Sequence, residues 1–232
     1  MREEKIDLCI IPARGGSVGV PRKNVANLAG YPLIHWTIRA ALASNCFERV
    51  IVSTDDYQIA SEAQKAGAEV PFIRPASLAT STAPSSYVIE HALQHFPEVL
   101  TFGLLQPTSP FRSAAHIGEA VSSFRMAEAL SLVSVQKAKP VAWCFQGIDG
   151  YLVRQSEAEV ISRRQDAAET YSLNGAIYLC ETGSFQRNSG IPLPGAKYYV
   201  MGGIDSIDID DWEDFALASA IADSRLRTID QL

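Results

Sequence analysis

The chain has 232 residues, 47% of them hydrophobic and 20% charged, with a formal net charge of −6. That length suits one large domain that buries its core without help from disulfides. Scattered Lys and Arg in an acidic chain argue against a general nucleic-acid binder, and no apolar run approaches membrane-spanning length.

Asp7-Leu-Cys-Ile-Ile-Pro12 reads as a buried strand stopped by its proline. A glycine-rich loop follows from Ala13 to Asn24, then a helix over Pro32–Ser44. Arg49–Ser53 is a second strand, and Thr54 or Asp55 is placed to cap the helix that ends near Gly67. Val70–Ile73 reads as a short third strand. Pro84 opens a helix with Val88, Ala92, Leu93 and Phe96 on its inner face. Thr101–Gln106 is another buried strand, Ser113 caps the helix behind it, and Leu130–Gln136 is a strand again. This alternation predicts an α/β fold with a mostly parallel, doubly wound sheet and helices on both faces. Ligands in such sheets bind at the carboxyl ends of the strands, so the loops from Ala13, Thr54, Pro107 and Gln136 are expected to border the site.

The pattern changes after Lys137. Val141–Phe145 and Tyr151–Arg154 read as antiparallel strands joined through Gly147-Ile-Asp-Gly150, and residues 155–172 are polar and irregular. Strand character returns at Gly175–Cys180 and Tyr198–Met201, and a last helix spans Trp212 to about Ser224. The expected organisation is a main α/β domain over 1–137, a small excursion over 138–172, and a return to the main domain over 173–232. Met1–Ile11 lacks a signal-peptide core. Cys9, Cys46, Cys144 and Cys180 form no CxxC pair, which fits buried free thiols in a cytoplasmic protein.

The loop Pro12-Ala-Arg-Gly-Gly-Ser-Val-Gly-Val-Pro-Arg-Lys-Asn24 is the strongest local feature. Gly15, Gly16 and Gly19 let the backbone turn, successive N–H groups can form an anion nest, and Arg14, Arg22 and Lys23 bring positive charge. The loop is neither GxxxxGK[ST] nor GxGxxG. In Ser206-Ile-Asp-Ile-Asp210, strand spacing would turn Asp208 and Asp210 to one side and Ile207 and Ile209 to the core. Two carboxylates suit Mg²⁺, which keeps waters and takes phosphate oxygens. From the residues alone, Asp210 or Asp211 could equally cap the last helix, with Asp214 at its positive end. His35, His91, His95 and His116 fall in helices without a third metal ligand between them.

Ile11-Pro-Ala-Arg-Gly-Gly-Ser17 with Pro21-Arg-Lys-Asn24, Leu105-Gln-Pro-Thr-Ser-Pro-Phe-Arg112, Arg164-Gln-Asp166 with Asn174-Gly-Ala-Ile-Tyr178, and Ser206-Ile-Asp-Ile-Asp210 stand in order along nearly the whole chain. Together they resemble the acylneuraminate cytidylyltransferases. The resemblance implies a Rossmann-like nucleotidyltransferase in which 1–137 binds nucleotide and the 138–172 excursion mediates a homodimer. It implies transfer of CMP from CTP to an acidic, sialic-acid-like keto-sugar with Mg²⁺ (or Mn²⁺), releasing pyrophosphate. It places Ala13, Arg14, Gly15, Gly16, Ser17, Arg22, Lys23, Asn24, Arg74 and Ser85 at the nucleotide, and Gln106, Arg164, Tyr178 and Asp208 at the sugar. Arg14, Lys23, Asp208 and Asp210 become the catalytic set, with Asp208 and Asp210 on the metal.

Three departures remove positive charge from that pattern. Val18 stands where the family usually has Lys, Pro140-Val-Ala-Trp143 replaces Pro-x-x-Lys, and Ser172 replaces Arg before Asn174. They point to a sugar other than N-acetylneuraminic acid, such as a legionaminic-type or pseudaminic-type acid or a more distant keto-acid. The alternative is a CTP-binding homologue that has lost catalysis.

Overall fold

A computed structural model describes residues 5–127, 129–140, 145–149, 151–154, 168–188 and 190–229. Strand β1 (Ile6–Pro12) is buried on both faces, as its unbroken apolar run requires. It sits between β4 (Phe47–Ser53) and β5 (Thr101–Leu104), parallel to both. The six-stranded sheet continues through β9 (Tyr171–Glu181), β6 (Ser131–Lys137) and β10 (Lys197–Val200), in the order β10-β6-β9-β5-β1-β4. Only β9 runs antiparallel to its neighbours. Two short strands, β2 (Asn27–Leu28) and β3 (Tyr31–Pro32), form a hairpin ahead of the first helix.

The side chains of β1 divide between two cores. Ile6, Cys9 and Ile11 pack with helices α1 (Leu33–Ser44), α2 (Tyr57–Lys65) and α4 (Ala114–Met126) on one face. Leu8 and Ile10 pack with α3 (Ser85–Gln94) and α5 (Thr182–Asn188) on the other. Helix α6 (Trp212–Ile229) closes a third cluster, where Ala218 and Ala222 meet Leu28, Leu33, Phe111 and Ile209.

Several expected elements shift. Residues 70–73 bridge β4 without forming a strand: Glu69 and Ile73 make single bridges to Ile51 and Thr54, and Pro71 between them has no N–H to give. The cap of α2 is Asp56, whose carboxylate accepts from the N–H groups of Gln58 and Ile59. Ser113 caps α4 as expected, with His116 returning the bond. Residues 207–210 belong to no helix or strand; the Ile209 N–H is donated to the Thr108 carbonyl (2.9 Å). Beyond Lys137, β7 (Phe145–Ile148) pairs antiparallel with β8 (Tyr151–Arg154), so the hairpin connection is two residues, shorter than expected, with Asp149 at φ 50°. Residues 141–144 lie outside the described residues. The neck of the excursion closes where the Ala138 N–H meets the Thr170 carbonyl, which gives Tyr171 and Ser172 to β9.

Candidate active site

The carboxyl ends of β1 and β5 open onto a cleft of about 500 Å³. It is lined by Arg14, Ser17, Lys23, Asn24, Arg74, Ser85, Gln106, Asp208 and Asp210, with Val18, Gly19, Thr80 and Thr108 among its other walls. The loops after β1 and β5 border it as expected. Among the described residues, the loops beginning at Thr54 and Gln136 contribute no lining residue, and the stretch behind β4 enters through Arg74.

The glycine-rich loop is held from beneath. Ala13 is buried, its N–H on the Ser53 carbonyl, and the buried Asn24 amide donates to the Arg14 carbonyl (2.9 Å). The Gly15 N–H is donated to the Asp55 carboxylate (2.9 Å), so this donor of the expected nest is already occupied. Only Gly19 is strictly required: a Cβ there would collide with the Asp210 carbonyl, whereas one on Gly16 would meet nothing. Arg22, at φ 55°, turns away from the cleft to bridge Asp56 (3.1 Å) and Gln58 (2.8 Å) at the start of α2. Its charge is neutralised there, because Asp56 both caps the helix and attracts the guanidinium. Arg14 reaches across the cleft mouth to the Thr80 carbonyl (2.9 Å).

Lys23 joins this loop to the aspartates. Its ammonium donates to the Ile209 carbonyl and lies 3.9 Å from the Asp210 carboxylate. Burial lowers its pKa, opposed by the charges of Asp210 and Asp208. Asp208 is pushed the other way: burial raises its pKa, against a hydrogen bond from Thr108. Its Oδ1 is buried with no hydrogen-bond partner. Asp210 is open to solvent, with its side chain 83% exposed. Asp211 accepts from the N–H groups of Glu213 and Asp214, and Asp214 accepts from those of Asp210 and Asp211. The helix start therefore belongs to Asp211 and Asp214, leaving the Asp208 and Asp210 carboxylates facing the cleft.

Arg74 is buried, not a surface ion pair. Its guanidinium donates to the carbonyls of Ser53 (2.8 Å) and Leu78 (3.3 Å), and burial lowers its pKa. Ser85 is the exposed first residue of α3. On the far wall, Gly175 (φ 73°) has no room for a Cβ, because the Gln106 side chain lies against it and Asp208 stands just beyond. Tyr178 is on β9, opposite Leu104, behind the lining rather than in it. Burial, and then the Asp208 charge, raise its hydroxyl pKa. Arg164 and Trp143 lie outside the described residues. Of the other departures, Val18 lines the cleft 78% exposed and Ser172 pairs with Gln136 on β9.

Sequence reasoning missed the polar network beneath the aspartates. The buried Asn174 amide donates to Ser206 Oγ (2.9 Å) and accepts from Ser134 Oγ (2.6 Å), while Ser109 Oγ donates to its carbonyl (3.3 Å). These bonds tie the Ser206–Asp210 segment to β6 and β9 at the register shift between Val133 and Val135. The Asn174-Gly175 pair within an otherwise strand-like run was the available signal.

Two carboxylates, one with an unpaired buried oxygen, offer hard oxygen donors to a divalent ion that brings its other ligands with a phosphorylated substrate. Among the described residues, no cluster of three or more His, Cys, Asp or Glu could hold a metal by itself. No described helix is long and apolar enough to cross a membrane.

Comparisons with known proteins address the family and the fold. A model of a family described as cytidylyltransferase matches residues 8–182. An N-acylneuraminate cytidylyltransferase of Escherichia coli is 36% identical over 95% of this chain, and the chain spans about half of its length (53%). A CMP-N,N'-diacetyllegionaminic acid synthase of Legionella pneumophila is 39% identical, covering 92% of this chain and 95% of that protein. A pseudaminic acid cytidylyltransferase of Campylobacter jejuni is 30% identical over 93% of the chain and 95% of its own length. In fold, a solved CMP:2-keto-3-deoxy-manno-octonic acid synthetase complexed with CTP superposes with a TM-score of 0.71 at 17% identity, over 94% of this chain and 99% of that one.

Proposed function

The chain belongs to the cytidylyltransferase family, and on that premise we propose that it transfers CMP from CTP to an acidic nonulosonic sugar and releases pyrophosphate. The observation that carries this reading is the single cleft into which Arg14, Lys23, Gln106, Asp208 and Asp210 all project. The relatives named for sialic, legionaminic and pseudaminic acids support the acceptor class.

The anomeric hydroxyl of the sugar attacks the α-phosphorus, a P–O bond to the sugar forms, and the bond to pyrophosphate breaks. Arg14 and Lys23 hold the triphosphate and the departing pyrophosphate by charge. Ser85 and Arg74 stand where the cytidine would lie, and Gln106 faces the acceptor. Asp208, between Lys23 and the Gln106 wall, is placed to take the hydroxyl proton. Asp208 and Asp210 would hold Mg²⁺, or Mn²⁺ with the same oxygens, which supplies charge neutralisation on the phosphates. Positioning and electrostatics supply most of the acceleration.

We propose a homodimer as well. Leu173 and Val200 flank Val135 on one sheet face, and Tyr198 extends that face along β10; Leu173, Tyr198 and Val200 are 49%, 55% and 40% exposed. A second copy would cover this apolar face beside the excursion. The free thiols of Cys9, Cys46 and Cys180 suit a cytoplasmic setting.

The deciding measurement is pyrophosphate release with CTP and Mg²⁺ against a panel of nonulosonic acids, starting with a legionaminic acid because that relative matches in length. Release with CTP and one acid, but not with UTP, GTP or ATP, is the expected result. Binding of CTP without release for any acid would replace the reading with a non-catalytic CTP binder.

A further inference from the structure

Arg112 is the largest fully buried side chain in the molecule's described part, 1% exposed. Its guanidinium uses one nitrogen: Nη1 donates to the Ala176 carbonyl (2.8 Å) and the Gln106 carbonyl (3.3 Å). Nε and Nη2 are buried without a partner. Its coulombic neighbour is Cys9, a thiol that burial keeps protonated. A cation so placed is destabilising relative to an apolar side chain of similar volume, and burial lowers its pKa to about 10. Fold stability alone therefore does not explain an arginine here.

The two carbonyls it joins do. Gln106 leaves β5 at the floor of the cleft, and Ala176 on β9 follows Gly175, against which the Gln106 side chain rests. One nitrogen thus clamps both backbones that make the Gln106–Gly175 wall. The Gln106 carbonyl also accepts from Thr37 Oγ1 and from the Ser109 N–H, both at 3.4 Å, whereas Arg112 alone joins it to Ala176. We propose that Arg112 is a positioning residue for the acceptor: it fixes the Gln106 amide through the backbone clamp and never touches substrate. This rests on the transfer reading above and on Gln106 as the acceptor contact.

The test compares Arg112→Met, Arg112→Lys and Gln106→Ala, singly and with Arg112→Met combined with Gln106→Ala. Arg112→Met is expected to keep or raise the melting temperature. It should raise the KM for the sugar about tenfold while leaving the KM for CTP within about twofold. Lysine should recover part of that loss. In the Gln106→Ala background the same change should have little further effect, because the group it positions is gone. A tenfold loss that persists in that background, or one that falls equally on CTP, would overturn the proposal. The Gln106 side-chain amide signals in NMR give a readout free of turnover. They should shift or broaden in Arg112→Met and return with lysine, and unchanged signals would refute the clamp. Gln106→Ala that leaves the sugar KM untouched while Arg112→Met still moves the amide signals would fault the acceptor assignment, not the clamp.

Discussion

Asp208 combines a pKa raised chiefly by burial with an oxygen that has no hydrogen-bond partner. Folding therefore places its charge in a worse environment than the unfolded chain does. That penalty is present at neutral pH and is relieved as the pH falls through the raised pKa. The Asp208→Asn protein is expected to melt higher than the parent at pH 7 in metal-free buffer, with an advantage that shrinks on acidification. Its turnover should fall about 100-fold or more. A lower melting temperature at pH 7 would mean that the carboxylate is well satisfied in the fold and held for stability. A buried carboxylate oxygen left unpaired is the pattern expected where stability and activity compete.

Asp56 shows why element boundaries were only partly legible. Sequence spacing allowed Thr54 or Asp55 as the cap of α2, but the Asp55 carboxylate is taken by the Gly15 N–H and Thr54 Oγ1 by the Asp56 N–H. The neighbouring loop, distant in sequence, decides which residue is left to cap. Burial works against the Asp56 carboxylate, yet the Ile59 and Gln58 N–H groups and Arg22 keep its pKa below the ordinary value. Its stabilisation is present above the unfolded pKa and is lost as the pH falls through the folded one. Replacing Asp56 with alanine should cost about 1 kcal/mol in urea unfolding at pH 7, and less in acid. An unchanged midpoint would mean that Gln58 or water takes over the cap. Similarly, 70–73 failed as a strand because Pro71 interrupts the ladder, and the aspartate segment reached its geometry without strand pairing. In contrast, Ser113 and its helix were readable, because that cap is made entirely by local residues.

At the scale of the molecule, the parallel sheet and the cleft at the ends of β1 and β5 followed from the strand–helix alternation. The antiparallel insertion of β9 between β5 and β6 did not, because it depends on which distant edge the returning chain meets. The place of Arg14, Lys23, Gln106, Asp208 and Asp210 at one cleft was legible because they lie in contiguous blocks. The Asn174 network was not, since its bonds span 32 to 65 residues of sequence. The exposed face of Leu173, Tyr198 and Val200 gives the proposed dimer its own prediction. Leu173→Glu with Tyr198→Glu should halve the mass measured by light scattering while circular dichroism stays unchanged. A parent that is monomeric throughout the concentration range would remove the dimer.

The contact between Gly19 and the Asp210 carbonyl has a consequence for how freely this loop can vary. In a saturation library selected only for thermal survival, position 19 should return glycine and position 16 nearly any residue. On the proposed placement of the nucleotide at this loop, the same library selected for turnover should return glycine at both, because no protein atom obstructs a side chain at position 16. Two glycines of one motif, three positions apart, would then keep separate records, one of the fold and one of the ligand.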